Sequence, residues 1–495
     1  MILKDILQYS LGNTLKTNEE SLIVRNIVFD SRKIIPGSLF VAIKGINLDG
    51  HDFIREAFSR GAVASVVEKE ELVSSDYPMF LVKDTRETLA YLSQIFYNNP
   101  SKKLNIIGVT GTNGKTSTVF LIREMLGGQF QGAVSGTVGF SVANYSETLN
   151  ETTPDSVTLA RLMDITVANK VPYFVMEISS HGLKQKRVFN IQPSLAVFTS
   201  FSRDHLDYHK TMENYFQAKL LLFRSLNEDS YALINWDNPW IRQVKNHTRA
   251  KVLTYGLESK ADFQTISITG AGRNTVLNLI LMGKNEEFET SYKGKFNFYN
   301  LLASIAAGYV CGVPVNLLKE RALNPPKVPG RMEKIDLGQP YQVFVDFAHN
   351  PEGLNMAFQF LKQLKGRRRI IIVFGAVGEG DVEKRPLMGR ISAHEADYSI
   401  ITTDNPKNED PESIIENIRV GMQGAGKVEG KDYVVILNRQ EAIEIGLTLA
   451  QENDVVLIAG RGHETEQKIG SRKVFLDDRE VVKNYLKLQG FPQNG

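Results

Sequence analysis

The sequence predicts an α/β protein of three domains, the middle one built on a parallel sheet and the last on a Rossmann-like sheet. Three observations carry this. The 495 residues are too many for one hydrophobic core, because single cores stop growing near about 250–300 residues. Short apolar runs of strand length alternate with helical patterns over the second and third parts of the chain, the pattern of strands joined by crossover helices. A glycine-containing turn lies between one such strand and the helix that follows it, at residues 108–117.

The first region, residues 1–100, holds strand-like runs at 38–42 and 64–67, broken by Pro36-Gly37 and Gly61, and ends in the turn-rich Asn98-Asn99-Pro100-Ser101. The second, 101–331, opens with the apolar strand 104–109. Further runs come at 173–176 and 195–198, with a helical segment at 212–226. The third, 332–495, has runs at 341–345, 370–374, 398–401, 433–437 and 455–459 alternating with helices, a second α/β domain.

Composition narrows the class. At 42% apolar and 23% charged residues the chain reads as an ordinary globular protein. A net charge of +2 gives no case for a nucleic-acid or membrane surface. No uncharged apolar stretch approaches ~18 residues, so no membrane-spanning helix is expected. Met1-Ile2-Leu3-Lys4-Asp5 lacks the order of a signal peptide. The single cysteine, Cys311, has no disulfide partner within the chain, which suits a reducing cytosol. Its apolar setting predicts a buried small hydrophobe and not a nucleophile. A cytoplasmic monomer acting on small molecules is the expectation.

The turn reads Gly108-Val109-Thr110-Gly111-Thr112-Asn113-Gly114-Lys115-Thr116-Ser117. Glycines let backbone N–H groups close around phosphate oxygens, and the helix N-terminus adds a favourable dipole. Lys115 can reach the β and γ phosphates, and the Thr116 hydroxyl can ligate Mg²⁺. The usual spacing places glycine where Val109 stands. The loop predicts ATP or GTP; a motor, a GTPase, a kinase and a ligase all use one.

Two further clusters follow strands of the same sheet. Glu177 ends the run at 173–176, where an acid can reach Mg²⁺, and Ser179-Ser180-His181-Gly182 comes next. Asp204-His205-Leu206-Asp207-Tyr208-His209 follows the run at 195–198. Strand ends of one sheet converge on one crevice, so Glu177 and His205 are candidate metal or substrate groups. Lys219, four residues after Tyr215 in the helical segment, reads from composition as a surface charge.

Together these stretches resemble the Mur ligases, most closely the MurE branch, which adds the third peptide residue to UDP-N-acetylmuramoyl-L-alanyl-D-glutamate. The matching residues also include Asp30-Ser31-Arg32, Thr152-Thr153-Pro154-Asp155-Ser156, Gly330-Arg331-Met332-Glu333, Asp404-Asn405-Pro406 and Gly462-His463-Glu464, so the likeness spans nearly the whole chain. The resemblance implies ATP and Mg²⁺ as cofactors. It implies a nucleotide site of Gly111, Thr112, Asn113, Gly114, Lys115, Thr116, Ser117, Asn297, Asn300, Arg331 and Asp346. It implies metal positions at Thr116, Glu177, His205 and Lys219, the last as a carbamate. Lys115, Glu177, His205 and Lys219 would be the catalytic set. Ser31, Thr152, Thr153, Ser179, Gln185 and Arg187 match contacts to the UDP-muramoyl dipeptide. Asp404, Asn405, Lys407, Gly460 and Glu464 match the pocket of the incoming diamino acid. The implied reaction forms an acyl-phosphate on the D-glutamyl carboxylate, which the amine then attacks.

The sequence departs from the branch at four places. Lys407 stands where diaminopimelate-adding enzymes have arginine, exchanging a bidentate fork for a point charge. Gly380 also stands where arginine is usual, while Glu464 keeps the diaminopimelate-type pattern. Phe347 and Asn350 replace the commoner tyrosine and threonine, and Ser200 replaces asparagine. The leading expectation is addition of meso-diaminopimelate. The alternatives are the same ligation with L-lysine or another amino acid, a paralogous ligase with a different acceptor, and an ATP-binding partner of an amidotransferase.

Overall fold

The computed structural model describes residues 1–491 except 15, 17, 46, 47, 272, 273, 365, 367 and 368. Among these residues the strands form three large sheets and one short hairpin, Glu466–Ile469 with Arg472–Phe475. The first sheet runs in the order Gly12–Asn13, Met79–Leu81, Ala62–Val67, Ser38–Val41, Asn26–Val28, and only Gly12–Asn13 is antiparallel to its neighbour.

The central sheet has a parallel middle: Lys251–Gly256, Tyr231–Asn235, Leu195–Phe198, Asn105–Thr110, Tyr173–Glu177, Gly132–Gly136. These strands are covered on both faces, so most read as unbroken apolar runs instead of alternating ones. At one edge the sheet continues into an antiparallel meander, Phe263–Ala271, Asn274–Leu281 and Lys284–Thr290. At the other, Gly139–Val142 and Tyr145–Glu147 fold back antiparallel. The βαβ pattern does not anticipate these wings, because they belong to hairpins; Asn274–Leu281 alternates buried and half-buried residues, as a half-covered antiparallel strand does.

The third sheet places Gln342–Asp346, Val455–Ala459, Ile370–Phe374, Tyr398–Ile401 and Tyr433–Val435 in parallel, with Glu333–Ile335 antiparallel at its edge. Each large sheet carries a separate buried cluster on each face, so the molecule is three α/β layers with three sets of cores. Many helices start where a side chain satisfies orphan backbone donors. Asp84 caps Thr85–Phe96, Asp155 caps Ser156–Ala168 and Thr211 caps Met212–Arg224. Asn350 and Asp410 cap helices that begin with proline, which gives up no hydrogen bond at that position. No helix among the described residues is long and apolar enough to cross a membrane. Cys311 is partly buried against the central core, and burial pushes its thiol up to about 12, so it is not a ready nucleophile.

Register positions the site. Glu177 pairs with Val109 and Phe198 with Thr110, so the phosphate-loop turn, the segment 178–182 and the segment 199–205 leave the central sheet at one edge. In the third sheet Asp346 pairs with Ala459 and Phe374 with Ile401, so residues 347–350, 460–464, 375–381 and 402–407 also emerge together.

Candidate active site

Val109 lies inside the buried strand Asn105–Thr110, so the turn itself begins at Gly111. Gly111 has φ +153° and Gly114 φ +84°. A side chain at Gly114 would come within 2.5 Å of Asn300 Oδ1, and one at Gly111 within 2.0 Å of Thr199 Oγ1. Helix Lys115–Leu126 then starts, aiming its N-terminus into the crevice. Lys115 Nζ donates to the carbonyls of Gly111 and Thr112, 2.9 Å each. Burial holds this ammonium below its ordinary pKa, opposed by Glu177.

Thr116 Oγ1 donates to Glu177 Oε2 at 3.1 Å. Glu177 also accepts from the Thr137 N–H at 2.8 Å and the Thr137 hydroxyl at 3.1 Å. A hydroxyl and one carboxylate beside a phosphate loop suit Mg²⁺, which takes few protein ligands and the rest from phosphates and water. Among the described residues no three acids, histidines or cysteines form an all-protein cage. His205 follows in the left-handed region, φ +54°, with its ring edge-on to His181 at 5.0 Å. The side chain is still 42% exposed, and its partial removal from water lowers the imidazole pKa, with Asp204 opposing.

Lys219 is no surface charge. It is 1% exposed and its Nζ donates to Gly111 O at 2.8 Å, the same carbonyl that Lys115 holds. Burial, and then Lys115, lower its pKa well below the ordinary lysine value. Two ammonium groups on one buried oxygen repel, so the arrangement favours a neutral amine at position 219.

Residues at the junction of the central and third units close one side of the site. Arg331 is half-buried, lies over the Phe347 ring at 4.4 Å and donates to Thr116 Oγ1 at 2.8 Å. Asp346 accepts from the Met332 N–H at 2.6 Å and the Ala348 N–H at 2.9 Å, and burial raises its pKa. Asn300 faces the cavity beside Phe296, whereas Asn297 turns its amide to Lys293 O at 2.9 Å and does not line it.

Two cavities meet here. One, about 820 Å³, lies between the first unit and the central one and is lined by Ser31, Arg32 and Arg86 among others. The other, about 610 Å³, is lined by the phosphate loop, Thr152, Thr153, Glu177, Ser179, His205, Arg331, Asp346 and Lys407. Asn150, Glu151, Gln185 and Arg187 line both. Arg187 is held by Thr153 O at 2.7 Å and Gln185 Oε1 at 2.6 Å. Ser179 caps helix Ser180–Lys184 and its N–H donates to Thr153 Oγ1 at 2.9 Å.

Beyond the second cavity, Asn405 joins Glu464 to the loop, with Nδ2 donating to Glu464 Oε2 at 2.7 Å. Burial and then Asp404 raise the pKa of Glu464. Asp404 is 1% exposed, and neither carboxylate oxygen finds a hydrogen-bond partner among the described residues. Gly460, φ +115°, leaves room for it: a Cβ there would stand 2.4 Å from Asp404 Oδ2. Lys407 faces the cavity, its Nζ 4.0 Å from Glu379. Asp404 is buried and Glu464 half-buried, and the buried guanidiniums of Arg439 and Arg461 act on both acids.

Sequence reasoning did not single out Thr137, which serves Glu177 and accepts from His463 Nε2 at 3.0 Å, nor Asp204, at which both units meet. Thr137 carries no motif; Asp204 stands beside His205 and was readable as a site residue from that position.

Models of three Mur ligase domains match the chain: a family catalytic domain at 23–97, the middle domain at 109–308 and the glutamate ligase domain at 330–462. A UDP-N-acetylmuramoyl-L-alanyl-D-glutamate–2,6-diaminopimelate ligase of Clostridium perfringens (strain 13 / Type A) is 38% identical over 98% of this chain and 100% of its own. The chain belongs to the Mur ligase family. A ligase of the same name from Geobacillus kaustophilus (strain HTA426) is 40% identical over 93% of this chain and 94% of its own. A solved structure of a Mur ligase so named superposes with a TM-score of 0.66 at 30% identity, covering 99% of both chains. Such Mur ligases share the three-domain α/β fold described above.

Proposed function

We propose that this Mur ligase joins meso-diaminopimelate to the D-glutamyl carboxylate of UDP-N-acetylmuramoyl-L-alanyl-D-glutamate, with cleavage of ATP, in the cytoplasmic synthesis of peptidoglycan precursors. The observation that carries the reading is that the two cavities share Gln185 and Arg187 in their walls, and that the second holds the phosphate loop with Lys407 also in its lining. A long nucleotide-linked substrate lies along such a path with its free carboxylate at the loop. The relatives named for this ligation match over more than nine-tenths of this chain and of their own. Residues 1–100 then serve the UDP end, 101–331 the ATP, and 332–495 the amino acid.

A carboxylate is a poor electrophile. Its oxygen attacks the γ-phosphorus of ATP, the bond to ADP breaks, and an acyl-phosphate results. The neutral amine adds to that carbonyl, loses a proton, and phosphate leaves as the amide forms. Helix Lys115–Leu126, Lys115 and Arg331 neutralise the transferring phosphoryl group. Mg²⁺ held by Thr116 and Glu177 would add charge compensation at the phosphates. The Asp404–Glu464 pair binds the second ammonium of the amino acid, and Lys407 faces its distal carboxylate.

The test is ADP release with the UDP-dipeptide and, separately, meso-diaminopimelate, L-lysine, D-lysine or L-ornithine. Turnover that needs the UDP-dipeptide and is fastest with meso-diaminopimelate supports the reading. L-Lysine as best substrate would show that the single charge of Lys407, with Gly380 in place of a second arginine, no longer selects the distal carboxylate. No turnover with any of them removes the murein assignment.

The phosphate loop has its own test. Gly114→Ala is expected to weaken ATP by about five- to thirtyfold, from the ~1–2 kcal/mol cost of left-handed backbone with the displacement of Asn300 beside it. Titration calorimetry with a non-hydrolysable ATP analogue measures this, and unchanged affinity would place the nucleotide elsewhere.

A further inference from the structure

Asn350 is fully buried where the third unit meets the nucleotide loop, and it makes three hydrogen bonds there. Its Oδ1 accepts from the Gly353 N–H at 2.8 Å, capping helix Pro351–Lys362. That bond fixes the amide orientation, so Nδ2 is the atom facing the central unit. Nδ2 donates to Asp204 Oδ2 at 3.0 Å and approaches Asn113 Oδ1 at 3.3 Å. Asn113 is a phosphate-loop residue, and its own Nδ2 donates to Glu352 Oε2 at 2.9 Å, in the first turn of the same helix. Asp204 sits beneath the third unit, 3% exposed, with His349 Nε2 at 3.6 Å and Lys384 Nζ at 3.9 Å.

One helix end therefore grips both the phosphate loop and the segment after strand Leu195–Phe198. That segment is wound on the loop in turn: the Thr112 N–H donates to Ser200 O at 2.8 Å, and Thr199 Oγ1 donates to Asn113 O at 2.6 Å. A threonine or serine can cap a helix as well as asparagine does. It has one short hydroxyl, however, and cannot cap while also donating twice across the junction.

We infer that Asn350 is a positioning residue that clasps the third unit onto the phosphate loop during ligation, keeping water from the acyl-phosphate until the amine arrives. The inference rests on the ligase reading above. A residue that only capped its helix would affect stability; a clasp affects how much ATP cleavage ends in amide.

The experiment uses the full-length protein with the UDP-dipeptide and its best amino acid. ADP and amide are measured separately, with thermal midpoints alongside. Asn350→Thr and Asn350→Ser keep the cap and lose the clasp; Asn350→Asp keeps cap and shape but sets an acceptor against Asp204. Wild type is expected to give one amide per ADP. The threonine and serine variants should lose about tenfold in kcat for amide, as for one hydrogen bond to a buried charged group, and release ADP in several-fold excess. Asn350→Asp should fall further, with midpoints of the threonine and serine variants near wild type. Wild-type kcat and coupling in both capping variants overturn the inference. So does a kcat loss that follows the thermal midpoint with one amide per ADP retained. Wild type making no amide overturns the ligase reading and this inference together, whereas unaffected variants overturn this inference alone.

Discussion

Lys219→Ala is expected to cut amide formation by about 10²–10³-fold, the loss typical of one preorganised electrostatic group at a reacting centre. Lys219 lies within helix Met212–Arg224 with its amine on Gly111 O, under the phosphate loop. Burial and Lys115 lower its pKa, so the neutral amine is populated at pH values where a free lysine is still charged. Only a neutral amine takes up CO₂, and doing so releases a proton and turns a repelled cation into an anion. The sign follows: acidification protonates the amine, reverses the carbamate and lowers activity, and bicarbonate restores it near neutral pH. A carbamate resonance from ¹³C-bicarbonate should appear in wild type and be absent from Lys219→Ala. Turnover of the alanine variant within threefold of wild type would remove Lys219 from the catalytic set.

Arg331→Met should lower kcat by a similar factor, about 10²–10³, while filling most of the same space. The guanidinium bridges the junction to Thr116 and is surrounded by Glu177, Asp346 and Glu464, acids that oppose the lowering of its pKa by burial. Removing it leaves phosphate charge and those acids uncompensated. Arg331→Lys should recover only part of the rate, because a point charge cannot both stack on Phe347 and direct a planar fork at Thr116. Steady-state ADP and amide rates measure both variants, and thermal midpoints separate folding from catalysis. A methionine variant with nearly full kcat would reassign Arg331 to structure alone.

Much of this site is legible before folding. Strand 104–109 followed by Gly111-Thr112-Asn113-Gly114-Lys115 announces itself by local chemistry, and Glu177 and Asp204-His205 follow strands whose apolar runs give them away. Lys219 was misleading by composition, yet its spacing carried a signal. Tyr215, Ala218, Lys219 and Leu222 fall at helical i, i+3, i+4, i+7 positions, and all are buried. The grip of Asn350 on Asp204 was not legible, because the partners lie 146 residues apart and follow strands of different sheets. Asn297 marks the opposite limit: its neighbour Phe296 and not its own amide turns to the cavity, a one-residue rotation that a motif does not resolve. The antiparallel wings were missed because the alternation of strands and helices describes only the parallel middle of the sheet.

The place of strand Asn105–Thr110 in the middle of the central sheet has a consequence during synthesis. Its two neighbours are Tyr173–Glu177 and Leu195–Phe198, both made later. At about 5–20 residues per second, the second flank emerges roughly 4–18 s after the phosphate-loop strand is complete. For that interval an apolar strand waits with at least one edge unpaired, the state most open to aggregation and to capture by chaperones. Closing such long sequence separations also slows folding, because loop-closure entropy is spent before the contacts form. The same central placement that brings three chain segments to one crevice makes the nucleotide site late to assemble on the ribosome.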